Sequence, residues 1–279
     1  MSIGTVALVT GASRGIGRGV ALALLGAGMT VHVTARTVTD EQAAAHPQRE
    51  GSLDSLRAEA AGLPGELIVH VCDHADDHQT EAAVASALRQ SGHIDILVNN
   101  AWPGYENMVE GTDYTWERPF WEQPMWRWDA MIGTALRAAF VASRAAAPDM
   151  IARRSGLIVN ISFWAAKKHN GNAIYGIAKA AADKMIADFA HELRPHDITA
   201  ISLYPGLVRT EAVVRNAEYF DMSNSESPQF VGLAIAALWA DVHRLRKTGA
   251  VHVTANLARE YGYADIDGKR ITPASLDDF

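Results

Sequence analysis

The chain has 279 residues, 48% of them hydrophobic and 20% charged, which suits one large α/β domain or two small ones with a sizeable core. Its net charge of −7 argues against nucleic acid as the main partner, so an anionic ligand must be held by a local cluster of positive groups. No long apolar run is free of charge, the opening MSIGTVALVTGAS reads as structure rather than a signal peptide, and the single cysteine, Cys72, excludes an internal disulfide framework and suits a reducing cytoplasm.

Short apolar runs alternate with longer amphipathic ones. Strands are expected at Thr5–Thr10, Thr30–Ala35, Glu66–Cys72, Ile94–Val98, Gly156–Ile161, Ile198–Leu203 and Ala250–Thr254. Helical patterns lie near Gly15–Ala27, Ser52–Ala61, Asp77–Ser91, Trp126–Arg153, Tyr175–Leu193 and Pro228–Ala240. Nearly continuous apolar strands with helices between them predict a doubly wound parallel β-sheet, a Rossmann fold of about seven strands in a single α/β domain spanning 1–279. Three segments stand outside the alternation: a polar addition at Val38–Gly51, a connection rich in Trp, Tyr, Pro and Glu at 102–125, and a polar tail at 256–279. The first two follow strand ends, where open parallel sheets bind ligands, and connections of such length are usually functional or mobile.

LVTGASRGIGRG joins the first strand to the first helix. Gly11, Gly15 and Gly17 allow a sharp turn and a close approach to a pyrophosphate, and the helix start offers free N–H groups and a positive dipole end. Arg14 lies in this loop and Arg36 follows the second strand, where a protein preferring NAD would want a carboxylate; Ala35 stands there instead. Two guanidinium groups suit a 2′-phosphate, so NADP(H) is the expected cofactor.

TGASRGIG (Thr10–Gly17), CD (Cys72–Asp73), NNA (Asn99–Ala101), YGIAK (Tyr175–Lys179) and YPGLVRT (Tyr204–Thr210) together resemble the short-chain dehydrogenase/reductase family, in order and at family spacing, over about residues 3–255. WDAMIGTALRAAF, AHEL and NLAREYGYADIDGK resemble one group within it and account for the tail. The resemblance implies a carbonyl reductase or alcohol dehydrogenase linked to NADP(H), acting on a small molecule as a homodimer or homotetramer in the cytoplasm. It implies that Tyr175 is the acid–base residue and that Lys179 holds the nicotinamide ribose and lowers the tyrosine pKa from its ordinary ~10. Ser162 would then hydrogen-bond the substrate carbonyl. The cofactor would be lined by Gly11, Ser13, Arg14, Gly15, Ile16, Gly17, Arg36, Asp73, Asn99, Asn100, Ala101, Tyr175, Lys179, Pro205, Gly206, Val208 and Thr210.

The chain departs from that pattern in three places. Trp102 follows NNA where the family usually has glycine, Ala135 aligns with a catalytic asparagine that anchors a water relay, and Phe163 takes the place of a second serine. Ser162 lies thirteen residues before Tyr175, the family's usual separation, while Tyr175 and Lys179 share one helix face. Five tryptophans crowd into Trp102–Trp128 and predict a bulky, apolar or aromatic substrate pocket, with about half facing it and Trp128 anchoring the core. His169 either replaces the relay or is a surface residue, HVCDHADDH is read as strand and helix cap with no metal, and no Gly-x-Ser-x-Gly elbow supports a hydrolase. The alternatives to a carbonyl reductase are a 3-oxoacyl reductase-like enzyme and a catalytically impaired NADP(H)-binding module.

Overall fold

The fold begins with β1 (Val6–Val9), α1 (Gly15–Gly26), β2 (Thr30–Ala35), α2 (Asp40–Ala44), α3 (Leu53–Ala60), β3 (Glu66–Val71), α4 (Asp77–Ser91) and β4 (Ile96–Asn99). A short hairpin, β5 (Val109–Glu110) and β6 (Asp113–Tyr114), precedes α5 (Met125–Trp128), a π-helical stretch Asp129–Leu136 and α6 (Arg137–Arg153). The chain continues through β7 (Gly156–Ile161), α7 (Ala173–Leu193), β8 (Ile198–Tyr204), α8 (Glu211–Arg215), α9 (Pro228–Ala240), β9 (Val251–Val253) and α10 (Thr254–Tyr261). The computed structural model describes residues 4–45, 50–110 and 112–278; part of the polar addition (46–49), Gly111 of the Trp-rich connection and both chain ends lie outside the described residues.

All seven long strands join one parallel sheet in the order β3-β2-β1-β4-β7-β8-β9, within a single domain. Chain order reverses between β1 and β4, and the crevice beyond their carboxyl ends is where such sheets take ligands. The central strands are apolar because helices cover both faces: Val9, Val98, Val159 and Leu203 pack toward α1 and α9, and Leu8, Leu97, Ile158 and Ala200 toward α4, α6 and α7. The edge strand β3 is only half-covered, with Val71 exposed.

The expected long helix Trp126–Arg153 is helical throughout, but its winding changes along the way. Residues Asp129–Leu136 take the wider π turn, which sets Met131 and Ala135 on its buried inner face toward the sheet ends. The tail is not loose: α10 opens it, Ile271 packs with Phe230, and the buried Asp265 accepts from Ser227 and Arg209. The polar addition contains α2, closed by a Thr39–Gln42 capping box, and α3 starts with a second box, Ser52–Ser55.

The helix start at the glycine loop is held by the close packing of α1 on α9. A Cβ on Gly19 would fall on the Pro228 backbone, whereas one on Gly26 meets nothing within 4 Å. Alanine favours a helix over glycine by up to about 1 kcal/mol, so the sign of each substitution reports the packing. We expect Gly19→Ala to cost about 1–3 kcal/mol in denaturant unfolding, and Gly26→Ala to be neutral or stabilising.

Candidate active site

The glycine loop is tied to β4 before any ligand is considered. Asn100 donates from its side chain to the Thr10 and Gly11 carbonyls, both at 2.9 Å, and the Thr10 hydroxyl accepts the Asn100 and Ala101 amides at 2.9 and 3.1 Å. Gly11 (φ +69°) lies so close that a Cβ would stand 2.7 Å from Ala101 Cα. Asn99 instead turns its amide toward Ser143 at 2.9 Å, beneath the loop. Ser13 is buried and Ile16 packs into the core, so both shape the loop from below.

Two internal carboxylates sit at the positive groups of this region. Glu211, capped into α8 by Thr210, accepts the Gly15 amide at 2.9 Å at the start of α1. Glu106, from the Trp-rich connection, accepts from Arg14 at 3.0 Å and from Arg36 at 2.6 Å on one oxygen. Both arginines therefore converge on an anion, and the α1 start takes another, as a phosphate-bearing cofactor requires. Asp73 sits at the end of the next strand along, accepting the Ala75 amide at 3.0 Å in a local turn.

Tyr175 and Lys179 lie on α7 near the ends of β4 and β7, and Ser162 is buried just after β7. Asn172 starts α7 by accepting the Tyr175 amide at 3.0 Å, and it donates to the Trp116 carbonyl and Gln123, which pins the Trp-rich connection to this helix. One turn later Lys179 donates to the Ile161 carbonyl at 3.2 Å and lies 3.9 Å over the Trp102 ring. Ser162 donates to the Lys179 carbonyl at 3.4 Å and touches the Tyr204 hydroxyl, which itself donates to Asp183. The Phe163 ring faces Tyr175 at 6.2 Å, offering packing and no hydroxyl.

The expected lowering of the Tyr175 pKa is reversed in this arrangement. Burial, then Tyr105 and Tyr204, pushes the phenol well above its ordinary value, while burial brings Lys179 down to about 7. Behind Lys179 a cavity of about 30 Å³ is lined by Ala135, Asn99 and Asn160. The side-chain carbonyl oxygens of Asn99 and Asn160 are buried without a hydrogen-bond partner.

The aromatic connection divides. Trp102, Tyr105 and Trp116 ring Tyr175 at 5.3–5.9 Å between centroids, and the Tyr105 hydroxyl donates to that of Tyr175 at 2.9 Å. Trp164 packs on Tyr204, and Trp126 donates to Glu110. Trp121 is exposed, and so is Trp128, which does not anchor the core as expected. Its neighbour Arg127 does: wholly buried, it donates to the Thr115 carbonyl and hydroxyl and to Gln123, and lies 4.7 Å from the Trp126 ring. His169 is an exposed loop residue. Within HVCDHADDH, His70 stacks on His32 and His74 bonds to Thr34 and Thr80; among the described residues no group of three or more His, Cys, Asp or Glu could hold a metal ion.

Pro205, Gly206, Val208 and Thr210 run past the end of β8 on the same side of the sheet. Beneath them lies Glu226, fully buried, bonded to Thr254 and to the Gly206 backbone, and pushed up to about 8 by burial. This crevice, with its glycine loop, its Ser–Tyr–Lys constellation and its strand order, is the architecture of a nicotinamide-linked oxidoreductase of the short-chain type.

The short-chain dehydrogenase family model matches residues 5–219, and the chain belongs to that family of NAD(P)-dependent oxidoreductases acting on CH–OH and C=O groups. It is 38% identical to dehydrogenase/reductase SDR family member 1 of Mus musculus, over 96% of this chain and 85% of that protein. It is 32% identical to a 3-oxoacyl-(acyl-carrier-protein) reductase of Thermotoga maritima, covering 74% of this chain and 75% of the other. A metagenomic short-chain oxidoreductase solved in complex with NADP superposes with a TM-score of 0.68 at 28% identity, covering 91% of this chain and 97% of that one. Among the described residues no helix is long and apolar enough to cross a membrane.

The buried Lys179 generates a stability prediction. Its folded pKa of about 7 lies below the ordinary 10.5, so between these values the unfolded chain binds more protons and stability rises with pH. The cost of burying the ammonium is therefore complete below pH 7 and gone above about 10.5. We expect Lys179→Met to stabilise the fold by about 1–3 kcal/mol at pH 6, with the gain shrinking toward pH 10 in denaturant titrations.

Proposed function

We propose that the protein is an NADP(H)-dependent carbonyl reductase or alcohol dehydrogenase for a bulky, apolar or aromatic small molecule. What supports this reading is the convergence of Arg14 and Arg36 on one carboxylate oxygen, with Tyr175 and Lys179 one turn apart on α7 near the strand ends. When bound, the nicotinamide supplies or takes the hydride at the carbonyl carbon. The chain's own groups do the rest. The Tyr175 hydroxyl is protonated at neutral pH, all the more so with burial raising its pKa, and is thus a donor for a carbonyl oxygen. Ser162 would supply a second hydroxyl from the strand end, on turning from the Lys179 carbonyl and Tyr204 toward a substrate oxygen. Lys179 would hold the ribose and, when protonated, favour the phenolate left after the proton has moved.

Ala135 removes a polar side chain from the proton path, and the cavity behind Lys179 supports a substitute. It is large enough for an ordered water, and the unpaired oxygens of Asn99 and Asn160 are acceptors for one. The aromatic ring of Trp102, Tyr105 and Trp116 around Tyr175 favours a flat apolar substrate. A 3-oxoacyl substrate is the second reading, favoured by the likeness to the Thermotoga maritima reductase. Of the two, the aromatic enclosure fits a compact substrate better than a long acyl carrier. A homodimer or homotetramer accompanies this reading on the resemblance alone, and a cytoplasmic location on the single cysteine.

Cofactor choice is tested by Arg36→Asp, which should weaken NADPH binding by about 10–100-fold and leave NADH binding nearly unchanged in fluorescence titrations. Equal wild-type affinities for both cofactors would contradict the assignment.

For the chemistry, Ser162→Ala should lower kcat by about 10²–10³-fold and Tyr175→Phe at least as much, with NADPH affinity retained. Adding Phe163→Ser should not rescue Ser162→Ala. A rescued double variant would move the essential hydroxyl to position 163.

A further inference from the structure

Adjacent residues of the Trp-rich connection cap both ends of the proposed cofactor and substrate crevice. The Glu106 carboxylate bridges Arg14 and Arg36, and the Tyr105 hydroxyl donates to that of Tyr175. Tyr105 is nearly half exposed as a residue, and burial against its neighbours pushes its phenol up to about 12. Cα atoms of neighbouring residues are held ~3.8 Å apart, so a backbone shift that carries the Glu106 carboxylate out of the arginine pair also moves Tyr105. The segment around them is a tight turn. The Glu106 amide donates to the Pro103 carbonyl at 3.0 Å, Asn107 has φ +87°, and a Cβ on Gly104 would lie 2.8 Å from Trp102 and Met131.

We propose that Glu106 is a built-in occupant of the 2′-phosphate subsite, and that its displacement by that phosphate draws Tyr105 off Tyr175, so that Glu106 couples cofactor choice to access at the reacting end. This rests on the NADP(H) reading above. The chemistry favours the exchange in one direction. A phosphate monoester carries more charge than a carboxylate and offers three oxygens to two guanidinium groups, so it outcompetes Glu106 there. The neutral 2′-hydroxyl of NAD(H) has no such advantage. Once Glu106 is expelled, the turn is held at this end by one neutral hydrogen bond between phenols and by ring packing, the weaker part of the pair. The hydroxyl of Tyr175 is then free to face a substrate oxygen.

Hydrogen exchange of the full chain with 2′,5′-ADP and with 5′-ADP tests this, because the two probes share the adenosine and differ at the 2′-phosphate. We expect 2′,5′-ADP to speed exchange of backbone amides 104–110 at least about threefold and 5′-ADP to leave them unchanged. Glu106→Gln should show the faster exchange without ligand and bind 2′,5′-ADP about 3–30-fold tighter than the wild type. Binding of 2′,5′-ADP with unchanged exchange and the same affinity in Glu106→Gln would overturn the coupling while leaving the cofactor reading intact. Equal release by 5′-ADP would also overturn it. If 2′,5′-ADP does not bind at all, both readings fall together.

Discussion

A chain with seven more acidic than basic side chains must assemble any anion site from a few local positive groups, and the ligand end of this sheet is built around that constraint. The start of α1 and the Arg14–Arg36 pair are the two concentrations of positive potential at the switch point, and each is met by a carboxylate from elsewhere in the chain. Glu211 comes from the segment after β8 and Glu106 from the connection after β4. The two connections that would surround a cofactor are therefore held in place by the groups that would bind it. This arrangement keeps the arginines from repelling one another.

The second organising feature is burial of polar groups against aromatic rings. Lys179 has a carbonyl and the faces of Trp102 and Tyr175 as partners, Tyr175 packs against four rings, and Glu226 lies wholly inside beneath the 205–208 turn. Burial is the leading cause of the shift in each case, raising the phenol and the carboxyl and lowering the ammonium. A site with such costs is expected to trade stability for chemistry.

The sheet, the glycine loop and the Ser162–Tyr175–Lys179 spacing were legible in the sequence because each depends on local periodicity or on separations along one element. What escaped reading depends on where a long connection folds back. Nothing in the sequence around Glu106 or Tyr105 points to Arg36 or Tyr175, some seventy positions away in each case. Trp128 was expected inside and is exposed, while its neighbour Arg127 is the buried residue. The sign of the Tyr175 shift was also missed, since lysine proximity reads from spacing while enclosure by Trp102, Tyr105 and Trp116 does not. Trp102, which follows NNA in place of the usual glycine, turns its ring over Lys179.

Isotope transfer tests the central claim most directly. The enzyme would be incubated with NADPH carrying deuterium at nicotinamide C4, in each of its two stereochemical forms, and a panel of aromatic aldehydes and ketones. The account predicts that one form alone passes deuterium to the carbinol carbon of a product, and that Tyr175→Phe, still binding NADPH, passes none. Tight NADPH binding without transfer to any carbonyl, or undiminished transfer by Tyr175→Phe, would contradict it.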